Sequence, residues 1–204
     1  ADIKALPQKE KEALNLVRQR SVDVSAIIEA ETRPQLPLST ERDKLRQVNG
    51  HITQVGNLLA DAAPTEAAVV TAHGMRIHAD EQLQALDAAM RKVAGERAGL
   101  SDSLMAAGSQ LAASRATVDE EIAAGISRAH FAESISSLQT RLDAIQVKVD
   151  AGDYSGGKSA LDEFQAAFAA EQSRLMQVRQ ARENILAMEA RAQQRMAALA
   201  QWIK

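Results

Sequence analysis

Apolar residues return at intervals of three and four along almost the whole chain, which places them on one face of an α-helix. The first such segment runs from about Pro7 to Thr32, with Leu14, Val17, Val24, Ile27 and Ile28 on one stripe. "RPQLPLST" ends it. Pro34 and Pro37 cannot continue a helix, and each restricts the residue before it. Ser39 or Thr40 is expected to cap a second helix, whose seam is Leu45, Val48, Ile52, Val55 and Leu59 in strict heptad spacing. "DAAPTEA" breaks that helix at Pro64, with Thr65 as the next cap.

A third helix starts near Glu66 and carries Leu83, Leu86, Met90, Val93, Leu100 and Leu104, with Arg97 filling one seam slot. "AGERAGLSDS" lies inside that run. Gly95 and Gly99 each cost about 1 kcal/mol against Ala in a helix. Gly99 followed by Ser101 also reads as a C-cap and a new N-cap. A break or kink is expected here, a hinge near 95–101, although the seam stays in register across it. Residues 65–150 are thus either one kinked helix or two. The fourth helix ends near Ala151 on Phe131, Ile135, Leu138, Leu142, Ile145 and Val149. The fifth begins near Ser159 and runs to the end, with Leu161, Phe164, Phe168, Leu175, Val178, Ile185, Ala192, Met196, Leu199 and Ile203 on one seam. Glu171, Arg182 and Glu189 interrupt that seam. The expected fold is all-α: an elongated antiparallel bundle of about five helices, one domain over 1–204. Two short N-terminal helices would pack along the long C-terminal ones.

Composition agrees with close helix packing. Of 204 residues, 46% are hydrophobic but only 2% aromatic, with alanine supplying much of the apolar count. A net charge of -3 gives no field to attract nucleic acid or an anionic membrane. Charge is unevenly spread. Leu111–Asp153 holds four basic and seven acidic residues, whereas Gln172–Lys204 holds six basic and two acidic, so two neighbouring helices would attract. The chain has no cysteine, which excludes disulfides, thiolate zinc sites and cysteine catalysis. No apolar run approaches the ~20 residues of a membrane span. The missing cysteines and the small first residue point to an exported, periplasmic or cell-envelope protein, in one form a lipoprotein.

"GDYSGGKS", residues 152–159, matches the phosphate-binding loop G-x-x-x-x-G-K-[ST]. Such a loop needs a buried strand before it and an acidic residue on another strand to hold magnesium. A heptad seam precedes this one, and only helical sequence follows. The residues also read as a turn. Gly152 stops the fourth helix in the left-handed conformation, Gly156 and Gly157 let the chain reverse, and Ser159 caps the fifth helix. No nucleotide is expected. "AGDYSGGKSALDEF" resembles the inter-helix turn of a tetratricopeptide hairpin, which implies a helical hairpin and nothing about function.

Other candidate chemistry is sparse. His73 and His78 are five apart, about 140° around a helix, and cannot chelate one metal from a regular helix. His51 and His130 have no partner visible in the sequence. Thr117 with Glu120 reads as a capping box rather than an acid–base pair. The polar seam residues stand out. Arg97 and Arg182 either set register at a cost in stability or, in a sensor, bind a carboxylate ligand. No metal, no cofactor and no enzyme constellation of nucleophile, base and orienter is expected.

The functional expectation is a non-enzymatic helical interaction protein of the bacterial envelope, an adaptor or accessory that offers long helical faces to a protein partner or to a second copy. The alternative is the extracytoplasmic sensor domain of a transmembrane chemoreceptor or histidine kinase, which this chain is similar to in general form only. That reading implies a small carboxylate ligand and membrane attachment through segments outside the chain. Pro7 argues against it, while "LAQWIK", with Trp202 and Lys204, suits a membrane interface.

Overall fold

A computed structural model describes residues 6–127 and 131–202. His130, Ile203, Lys204 and the stretch 1–5 lie outside the described residues. Five helices make up the fold: α1 (Leu6–Glu31), α2 (Ser39–Leu58), α3 (Glu66–Ala123), α4 (Ala132–Ala151) and α5 (Tyr154–Trp202). No strand occurs among the described residues; one isolated bridge joins Arg33 and Leu36 in the turn after α1. The protein is an all-α helical bundle.

Packing divides the chain into two compact units. The first takes the residues up to Leu100 together with Val149–Tyr154. Its core is the predicted set: Leu14, Val17, Val24 and Ile28 from α1, Leu45, Val48, Ile52 and Val55 from α2, and Leu83, Leu86 and Met90 from α3, with Leu59 closing it. The second takes Ser101–Lys148 and Ser155–Lys204. It buries Leu104, Leu111 and Val118 from α3, Phe131 just before α4, Ile135, Leu138 and Ile145 from α4, and Leu161, Phe164 and Leu175 from α5.

Several expected boundaries move, each for an identifiable reason. No helix end falls at 95–101: α3 continues through it, over 58 residues in all. Gly95 and Gly99 lie on its exposed side, while Met90, Leu100 and Leu104 hold the seam. Seam burial outweighs two glycine costs of about 1 kcal/mol each. The helix stops instead at Gly125, with φ 99°. There the Ile126 N–H donates to Glu121 O at 3.1 Å and the Gly125 N–H to Ile122 O at 3.0 Å, the two bonds of a Schellman ending. Thr117 therefore lies inside α3. Its hydroxyl donates to Ala113 O at 3.2 Å, and it forms no capping box.

At α2 the N-cap is Leu38, in the left-handed region at φ 50° and with no side-chain cap; Ser39 and Thr40 are the first helical residues. Thr65 does cap α3, accepting from the Ala68 N–H at 3.2 Å. Gly152 ends α4 at φ 90°. However, α5 begins directly at Tyr154, so Gly156 and Gly157 are helical and Ser159 is not its cap. Among the described residues α4 and α5 are thus joined by two residues, Gly152 and Asp153.

Candidate functional site

Three polar seam residues, Arg97, Glu171 and Arg182, each have a partner from their own unit. In the first unit Glu31, at the C-terminal end of α1, is 2% exposed. A carboxylate is disfavoured at that end of a helix. Arg97 on α3 compensates, its Nε donating to both Glu31 oxygens at 2.9 and 3.2 Å. That hydrogen bond and the Glu31 charge raise the guanidinium above its ordinary value. Tyr154, the first residue of α5, points its hydroxyl at Glu31 Oε2 at 3.5 Å. Burial, then the Glu31 charge, pushes the phenol upward. The neighbouring turn is tied down by the Gln35 N–H donating to Ala151 O at 2.8 Å. A Cβ on Gly152 would come within 2.8 Å of the Cβ atoms of both Arg33 and Leu36.

In the second unit Glu121 is also 2% exposed and takes two arginines from α5: Arg179 Nε at 2.8 Å and Arg182 Nη1 at 3.0 Å. The Arg182 contact supplies charge without an aligned hydrogen bond. Glu121 Oε2 and Arg182 Nε both remain buried without a hydrogen-bond partner. Glu171 accepts from Ser134 Oγ at 2.7 Å and has Arg174 3.7 Å away, whose guanidinium lies over the Phe131 ring at 5.8 Å. The expected attraction between the acidic stretch and the basic C-terminal stretch is made here, by Arg179 and Arg182 on Glu121.

Both candidate ligand-binding arginines, Arg97 and Arg182, are thus paired with carboxylates of the protein itself. Neither partner was singled out in the sequence, yet a signal was there. Glu31 continues the α1 spacing of Val24 and Ile28, and Glu121 continues that of Leu111, Ser114 and Val118.

The histidines are separated. His73 Nδ1 donates to Glu10 Oε1 at 2.7 Å, beside the Arg76 Nε bond to Glu10 Oε2 at 2.7 Å. Burial pushes the Glu10 carboxyl up, but the hydrogen bonds and charges of Arg76 and His73 outweigh it and hold it below its ordinary value. His78 faces elsewhere, accepting from Gln82 Nε2 at 3.1 Å and meeting the His51 ring at 5.9 Å between centroids. Among the described residues no three His, Asp or Glu side chains converge as a metal cluster. Residues 154–159 of the "GDYSGGKS" stretch form the first turns of α5, with no strand leading into them. No described helix is long and apolar enough to cross a membrane.

The most exposed apolar surface lies on the distal part of α5. From Glu183 to Trp202 every residue is exposed. That stretch includes Ile185 (57%), Leu199 (63%) and Trp202 (90%), as well as Leu186, Met188 and Met196. The sequence seam continues here, but none of the described residues covers it. Comparison with protein-family models, with curated proteins and with solved structures gives no match.

Proposed function

We propose that this protein is a non-enzymatic helical interaction protein, and that the distal face of α5 is where it docks its partner. The observation that carries the reading is the heptad-spaced stripe Ile185, Ala192, Met196 and Leu199, which stays exposed although the same seam is buried at Leu161, Phe164 and Leu175. An exposed apolar stripe on a regular helix is the surface a second amphipathic helix covers. The partner is therefore a protein that offers an apolar helical face. Glu31–Arg97 and Glu121–Arg182 act within this reading as register-setting pairs, since a buried carboxylate out of register would lose its arginine. The extracytoplasmic setting expected from the sequence belongs to the same proposal.

The test is a photo-crosslinking amino acid placed at Leu199, and at exposed Arg46 on α2 as control, in the cells from which the protein comes. A discrete adduct at Leu199, absent at Arg46 and abolished by Ile185→Ser with Met196→Ser, is expected. Equal labelling at both positions would sink the proposal. An adduct of twice the chain mass would assign the face to a second copy.

A further inference from the structure

Two buried polar atoms of the first unit belong to half-buried side chains of α2 and α3. His51 Nδ1 and Gln82 Oε1 are both sealed from solvent and neither finds a hydrogen-bond partner. His78 stands between them: its ring meets His51, and its Nε2 takes the Gln82 amide N–H. A buried polar atom without a partner calls for a water, an ion or a strain that accounts for it.

The arrangement has the logic of a helical metal site. His78 and Gln82 are four apart on α3, so they share one face. Gln47 and His51 are four apart on α2, and Gln47 and Gln82 line the same groove. Two facing helices thus each bring one imidazole to the other, and Gln82 adds its amide to His78. Imidazoles sharing a tetrahedral ion have centroids about 5.3 Å apart, from metal–nitrogen bonds of ~2.1 Å. The observed 5.9 Å is within a small rotamer adjustment of that value. Of His51, His78 and Gln82 only Gln82 also lines the groove, which is about 440 Å³ in volume. Its charged residues, Glu41 and Lys44, are of opposite sign and lie further along α2.

We propose that His51 and His78, with the Gln82 amide oxygen once that amide turns over and releases His78 Nε2, bind a borderline divalent transition metal, copper(II), nickel(II) or zinc(II). Imidazole nitrogen suits these ions, and copper(II) is expected to bind tightest. All the protein ligands are neutral, so affinity is expected in the micromolar range. His73 has no part in the site, because its Nδ1 is held by Glu10.

Calorimetric titration of the intact chain with zinc chloride and with copper sulfate, near neutral pH in a non-chelating buffer, tests this. One equivalent is expected to bind each ion. His78→Ala, on an exposed side chain, should weaken binding at least tenfold with unchanged helicity, and His73→Ala should not. Gln82→Glu supplies a carboxylate ligand and should tighten zinc binding about tenfold, a gain that a purely structural glutamine would not give. Absence of saturable binding below about 1 mM, or binding indifferent to both His78→Ala and Gln82→Glu, would overturn the site and leave a water between His51 and Gln82.

Discussion

Gly152 is the residue at which a sequence motif and a structural role part company. It matched the first position of a phosphate loop, and it works as a helix terminator pressed against the turn after α1. Two requirements fall on it together: φ of 90°, and space that a Cβ would take from Arg33 and Leu36. Gly152→Ala should therefore destabilise the first unit by about 2–4 kcal/mol, the sum of backbone strain and overpacking. Gly99→Ala, inside α3 with open space around it, should stabilise by about 0.5–1 kcal/mol. Chemical denaturation of both variants checks the contrast. Tyr154 reports the same region, and it is the chain's single tyrosine. Its phenol is raised above 10, by burial first and by Glu31 second. A raised folded value means that the stabilisation is complete below the unfolded value and is lost as pH rises through the folded one. Ultraviolet titration should place the phenolate midpoint above 10, with Glu31→Gln moving it down. A midpoint unmoved by Glu31→Gln would remove Glu31 from the cluster.

At the scale of the helix, apolar periodicity was an accurate guide to which residues are buried and a poor one to where helices stop. The seams of α1, α2 and α4 are buried or half-buried as spaced, and so is that of α3 from Leu83 to Leu104. Stops depend on a contest that a sequence states only locally. Gly95, Gly99, Gly156 and Gly157 sit in helices because the surrounding register holds them there. Gly125 and Gly152 end helices because the backbone turns left-handed at each. The ion pairs were half legible: Arg97, Glu171 and Arg182 stood out as polar seam residues, but the carboxylates that pair with Arg97 and Arg182 belong to other helices. The His51–His78 contact was not legible at all, since it is created by packing α2 on α3. The distal part of α5 shows the limit most plainly. Its seam reads like the rest, and whether a seam is covered depends on what else is present. Trp202 gives a direct check, being the chain's single tryptophan and 90% exposed. Its emission should be that of a solvated indole in the folded protein and should show no transition where far-ultraviolet circular dichroism does. Limited proteolysis should cut first within 183–202 and leave a folded remainder. A blue-shifted Trp202 or a protected tail in the isolated chain would contradict the exposure.

At the scale of the molecule, the first unit is discontinuous in sequence. It owns Val149–Tyr154, which arrive only after the second unit has begun. Those residues supply the acceptor for Gln35, the glycine under Arg33 and Leu36, and the phenol at Glu31. A fragment ending at Leu100 should accordingly stay helical but melt at lower temperature than the same unit in the intact chain. Adding Arg97→Met to the fragment and to the intact chain should cost each about 1–3 kcal/mol, a range kept low because Arg97 is 41% exposed. An equal melting temperature for fragment and whole would mean that the 149–154 turn contributes nothing. The bare face of α5 has a consequence beyond binding. A helix that shows Ile185, Leu186, Met188, Met196, Leu199 and Trp202 to solvent is what quality-control proteases select. Synthesised in excess over whatever covers it, the chain should be trimmed back toward Arg182, so that its cellular abundance follows the supply of its partner. Pulse-labelling with Ile185, Met196 and Leu199 changed to serine should then show a longer lifetime without the partner, and no change would uncouple turnover from this face.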